Sequence, residues 1–258
     1  MSGSIIIKYE PNGVCQLRLY RPEKRNALNL ALMESLCFAL EDVEKDSDVR
    51  AIVLAGEGPV FCAGLDLKES EDADTRESAT GLVARLLMAV TTSSKVTIAS
   101  VHGAALAGGA GLMSACDLVV AEEDAIIGYP EVRRGLPAAL VLCLLRRQVA
   151  DRHARELLLL GEAVSARRAF EMGLVSKVTS KGEAMSECIR IAGTVCKGAP
   201  GAIAASKRLL SGLWSRSLEE DLAAAMDEHK ALRDNPEARE GLAAFHEKRS
   251  PVWDRTAQ

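Results

Sequence analysis

The chain has 258 residues, 48% of them hydrophobic, 26% charged and 3% aromatic, with a formal net charge of −4. Such a mixture excludes a disordered chain and is long enough to bury one sizeable core, or a main domain with a small appendage. The acidic balance and scarce aromatics exclude a basic nucleic-acid footprint and a stacking platform for single strands.

Seven cysteines without C-x-x-C spacing suit neither a disulfide framework nor a zinc site, and read as small buried hydrophobes in a reducing interior. No apolar run reaches membrane-spanning length and no N-terminal stretch resembles a signal peptide, so the expected location is cytoplasmic, with no membrane partner.

In chain order, Ser4–Tyr9 and Val14–Leu19 read as strands joined by a tight turn at Asn12-Gly13. A polar, Pro-marked loop, Tyr20–Asn26, follows. From Asn29 on, Leu32, Met33, Leu36, Leu40 and Val43 recur at helical spacing, predicting an amphipathic helix to about Lys45. Ala51–Ala55 is a short buried-strand pattern running into Gly56-Glu57-Gly58-Pro59 and then Phe61-Cys62-Ala63-Gly64-Leu65-Asp66-Leu67-Lys68. The acidic stretch Glu69–Ser78 predicts a loop or loose helix, and Leu82–Val90 a helix.

A β-branched run (Val96, Ile98, Val101) then gives way to a turn rich in Gly and Ala (Gly103 to Gly111), a helical segment over Leu112–Cys116 and a second apolar run, Leu118–Ala121. Glycines in such a turn let the backbone take positive φ or let a ligand approach the main chain, and N–H groups at a helix start face anions. On spacing alone, a small-residue turn before a helix is more often close packing than a site. Leu136–Val149 is strongly apolar, Asp151–Leu160 helical, Ser165–Phe170 a helix behind a Ser cap, and Gly173 closes it ahead of a last short strand in Leu174–Val178. Beyond about Gly182 the chain is helix-forming, with breaks near Gly198-Ala199-Pro200 and Asn235-Pro236. Strands alternating with helices across glycine turns predict an α/β fold.

Taken in order, FCAGLDLKE, HGAALAGGAGL, ACDLVVA and GYPEVRRG resemble the enoyl-CoA hydratase/isomerase (crotonase) superfamily at that family's spacing. RPEKRNALN, LLLLGEAVSARRAFEMGLVSKV and FHEKRSPVW extend the resemblance over essentially the whole chain. It implies a crotonase-like spiral of ββα repeats over 1–181 and a C-terminal helical oligomerisation subdomain over 182–258, with trimers, commonly paired into hexamers. The implied substrate is an acyl-CoA thioester, coenzyme A entering as part of it, with no separate cofactor and no metal.

The resemblance also assigns residues. The main-chain N–H groups of Leu65 and Gly108 would converge on the thioester oxygen and stabilise an enolate, and Glu131 of the GxPE motif would be the acid/base. The adenine would lie against the backbone of Ala63, Gly64, Leu65, Asp66 and Leu67, with Asn26, Ala27 and Leu28 along the pantetheine and Arg25 and Lys68 as phosphate partners. Gly111, Tyr129, Leu140 and Leu144 would shape an apolar acyl pocket.

At Gly111 the chain departs from the two-carboxylate hydratases, which carry a second Glu there to help hold water. One carboxylate suffices to move a proton from C2 to C4 of a 3-enoyl thioester, so Δ3,Δ2-enoyl-CoA isomerisation is the favoured expectation. The alternatives are hydration of a 2-enoyl-CoA, including a branched methylglutaconyl-like one, and a non-catalytic acyl-CoA-binding member.

Overall fold

The computed structural model describes residues 4–66, 73–212 and 236–253. Its frame is a six-stranded sheet, in the order β1 (Ser4–Glu10), β2 (Val14–Tyr20), β3 (Ala51–Gly56), β4 (Val96–Val101), β6 (Leu118–Glu122), β9 (Lys177–Thr179). The first pair is an antiparallel hairpin, Ser4 opposite Tyr20, and every later pair is parallel. A smaller sheet holds β5 (Ala104–Leu106), β7 (Ile126–Gly128) and β8 (Val164–Ser165).

The central strands are buried end to end because both faces are covered. Ile52, Leu54, Ala99 and Val101 face a core shared with α1 (Leu30–Lys45) and α2 (Ala73–Thr92). Ala51, Val53, Val96 and Ile98 face a second core shared with Ala184, Cys188 and Ala192 of α7 (Ala184–Val195). Thus α7, expected in a separate tail beginning near residue 182, covers one face of the main sheet. Further on, α8 (Pro200–Gly212) and the helix Pro236–Glu247 are described. Arg50 ties the end of the chain to the core by donating to the carbonyls of Gly198 (2.6 Å) and Trp253 (3.4 Å).

Two expectations need correction. The helix expected over Leu112–Cys116 is α3 (Gly108–Ser114), so the last glycines of the supposed turn lie inside it. The first part of that turn is β5, whose three residues pair with β7, Ala104 with Ile126 and Leu106 with Gly128. Three-residue strands are too short for alternation to betray them, which is why the second sheet went unanticipated. The acidic stretch from Glu69 reaches the described residues only at Ala73, where α2 starts.

Candidate active site

The loops after β3 and β4 leave the carboxyl ends of adjacent parallel strands, the edge where open α/β sheets place their ligands. Residues 61–62 lie alongside 102–106: Phe61 N–H donates to His102 O (3.0 Å), Cys62 N–H to Ala104 O (3.1 Å) and Leu106 N–H to Cys62 O (3.0 Å). On the other side, Leu28 N–H donates to Gly64 O (2.8 Å) and Asp66 N–H to Leu28 O (2.9 Å), a parallel bridge between Leu28 and Leu65. In such a bridge the residues flanking Leu65 supply the bonds, and its own N–H points away from Leu28. Gly64, at φ 98°, makes the bend and sits against Ala107 and Leu106.

Gly108 is the first residue of α3, so its N–H has no acceptor within the helix. Ala107 before it holds φ 49° and ψ −125°, a region that L side chains rarely enter, and donates its N–H to Gly128 O (2.9 Å). Strain of this kind persists only where the surroundings impose it. A Cβ built on Gly108 would lie 3.5 Å from Leu65 Cγ, 3.6 Å from Leu65 N and 3.7 Å from Leu28 Cδ1, ordinary van der Waals contact, so Gly108 and the Leu65 amide are neighbours. Among the described residues neither N–H has an acceptor. Gly109, by contrast, is close packing: its missing side chain admits the Cys62 backbone.

Glu131 follows β7 in a 3-10 turn, Pro130–Arg134. Pro130 at the first helical position and Gly135 at φ 73° start and stop that turn, as their φ preferences dictate. The Oε2 of Glu131 is buried with no hydrogen-bond partner. Desolvation pushes its carboxyl above the usual carboxylate range, opposed by a backbone hydrogen bond and by Arg134. A group that must be ionised to take a proton then loses activity at a higher pH than an exposed Glu. The acid limb of kcat/KM is expected above the ordinary glutamate range, and a limb at or below it would show Glu131 solvated.

Other expected site residues fall differently. Asn26, expected along a ligand, is fully buried and its side chain is spent. It accepts from Arg21 N–H (3.0 Å) and donates to the carbonyls of Glu57 (2.8 Å), Val60 (2.9 Å) and Phe61 (3.2 Å), bracing the loop before Leu65. Asn26→Ala should lower folding stability by about 2–4 kcal/mol in denaturant unfolding, since buried carbonyls lose donors. Asp66 is held by Arg21 (2.7 Å), and Ala63 N–H donates to Arg25 O (3.0 Å). Arg25 is exposed, Ala27 half-buried and Leu28 buried beneath Gly108. Leu67 and Lys68 lie outside the described residues.

Tyr129, expected to line a pocket, is wholly buried, its hydroxyl 2.8 Å from Ser114 Oγ, and burial raises its pKa. It fastens the Glu131 loop to α3. Leu140 and Leu144, half-buried on α4 (Ala139–Leu145), pack against the main core. Gly111 is buried against Val141 of the same helix, a neighbour that no local pattern in the sequence announces.

Among the described residues there is no cluster of three or more His, Cys, Asp or Glu able to hold a metal, and no helix long and apolar enough to cross a membrane.

Comparison with known proteins places the chain in a family. The profile of the family described as enoyl-CoA hydratase/isomerase matches residues 9–256. A Thermus thermophilus protein named provisionally as an enoyl-CoA hydratase is 40% identical over 95% of this chain and 99% of its own. The 2,3-dehydroadipyl-CoA hydratase of Escherichia coli is 33% identical over 92% and 94%. The crystal structure of an enoyl-CoA hydratase from Mycobacterium smegmatis superposes with a TM-score of 0.91 at 33% identity, covering 96% of this chain and 98% of that one. With matches across almost its full length in profile, sequence and fold, the chain belongs to the enoyl-CoA hydratase/isomerase, or crotonase, superfamily of acyl-CoA enzymes.

Proposed function

We propose that the enzyme isomerises a 3-enoyl-CoA to the 2-enoyl-CoA, using Glu131 as the single proton carrier and the amides of Leu65 and Gly108 as an oxyanion hole. The observation that carries this reading is the pair of neighbouring N–H groups without internal acceptors, one of them, Gly108, following β5 just as the desolvated Glu131 follows β7, its parallel neighbour. The Glu131 carboxylate removes a proton from C2, the electron pair of that C–H bond moves into the enolate, and the thioester oxygen takes up the charge between the two amides. Collapse of the enolate shifts the double bond to C2–C3 while the same carboxyl returns its proton to C4. Two fixed donors stabilise the charge as it develops, each worth about 3 kcal/mol. No step draws on a metal or redox group, and coenzyme A enters with the substrate, Arg25 and Lys68 being the phosphate partners in this reading.

The names of the relatives favour a second reading, addition of water to a 2-enoyl-CoA. Purified enzyme offered 3-enoyl- and 2-enoyl-CoA esters of matched chain length separates the two. Shift of the 3-enoyl double bond, with the 2-enoyl esters unhydrated, is the expected result; hydration faster than isomerisation would replace the first reading by the second.

Assembly as a homotrimer or hexamer in the cytoplasm belongs to the same proposal. Val132, Leu136, Leu142, Leu159 and Leu160 are exposed on the single chain, an apolar surface that a second copy would cover. Sedimentation equilibrium giving a multiple of three is the expected outcome, and a monomer would refute it.

A further inference from the structure

Gly111 is not an empty place. A Cβ built there would stand 2.7 Å from Val141 Cγ2, 3.8 Å from its Cβ and 3.9 Å from its Cγ1. Val141 is 5% exposed and belongs to α4, which packs on α3. A β-branched side chain in a helix has essentially one rotamer, so Val141 cannot swing aside as a long flexible side chain would. The helix bearing Gly111 is the one whose start carries the Gly108 amide, and it is fastened to the Glu131 loop by Ala107 N–H on Gly128 O and by Ser114 on Tyr129. Val141 therefore fills, from a neighbouring helix, the volume into which any side chain at position 111 would project beside the site.

We propose that Val141 is a specificity-determining residue: it plugs the position-111 side of the site with an immobile apolar group, so that neither a second acid nor a water held by one can stand there, and Glu131 works alone. This rests on the isomerase reading for its chemical consequence, although the plug itself is a packing claim that can be tested separately. In hydration the water oxygen bonds to C3, its proton passes to a carboxylate, and a proton is delivered to C2. That sequence needs a water fixed opposite Glu131, and the valine methyl denies its second holder a place.

The test is a four-corner set of wild type, Gly111→Glu, Val141→Ala and the double variant, each measured for thermal midpoint and for turnover of 3-enoyl- and 2-enoyl-CoA. Gly111→Glu alone should lower the midpoint, because the new side chain meets the valine. The double variant should recover much of that loss, and its hydration rate should exceed that of Gly111→Glu by about tenfold or more, within the range a positioned acid/base supplies. A Gly111→Glu single variant as stable as the double variant would overturn the plug whatever the activities are. Recovery of the midpoint without any gain of hydration would keep the packing and overturn its control of the reaction. Wild type that hydrates 2-enoyl-CoA with Val141 in place would overturn the isomerase reading and Val141's control of the reaction together, whereas the packing claim is decided by the midpoints alone.

Discussion

Glu131→Gln should abolish turnover while making the protein more stable at neutral pH. The amide has nearly the shape of the carboxyl but can neither take nor return a proton, so a loss of about 10²–10⁴-fold is expected, the usual contribution of a positioned acid/base. The stability change has the opposite sign because the fold does not favour the charge. Burial raises the Glu131 pKa and leaves Oε2 unpartnered, so the folded state binds the proton more tightly than the unfolded chain does. Stability contributed by the protonated form is present at low pH and is lost as pH rises through the folded-state pKa. The glutamine carries no charge to desolvate, and its midpoint should exceed that of wild type at pH 7, the gap closing on acidification. A variant that keeps wild-type turnover would remove Glu131 from the chemistry. An inactive variant with a lower midpoint throughout would make the residue a structural support.

How much of this was legible in the sequence differs by element. The long parallel strands and α1 stand out because their apolar residues recur over many positions, and the Asn29 cap marks where α1 begins: its side chain accepts from Leu32 N–H (3.0 Å). The second sheet was hidden because its strands are two or three residues long and held by partners distant in sequence, as β5 is by β7. In the site, spacing gives a strand, a glycine turn and a helix in that order but misplaces the helix start, which lies at Gly108 and not at Leu112, and what a side chain does depends on which distant groups reach it. Asn26 and Tyr129 sit within motif-like stretches, yet three carbonyls of the 57–61 loop and the Ser114 hydroxyl claim them first. Val141 was invisible for the same reason, since only the packing of α4 on α3 brings it to Gly111.

Gly108→Ala is expected to leave the fold intact and keep the N–H but cost about 10²-fold in kcat by crowding the oxygen away from it, an effect of the size seen when one oxyanion donor is lost. The backbone at Gly108 lies outside the positive-φ region, and an added Cβ would meet its neighbours at 3.5–3.7 Å, ordinary van der Waals contact. Alanine is also the better helix former, by about 0.8–1 kcal/mol in a helix interior and less at a first turn, so the thermal midpoint should hold or rise slightly. The same methyl, however, would stand 3.6 Å from Leu65 N, and under the proposed mechanism it would crowd the oxygen that both amides must reach. Stability and activity therefore part company at this residue, whereas at Gly64, where φ is 98° and a Cβ would stand 2.9 Å from both Ala107 Cβ and Leu106 O, they should fall together. Turnover of Gly108→Ala equal to wild type would mean that the oxygen does not bind between Leu65 and Gly108, and the enolate would have to find its donors elsewhere.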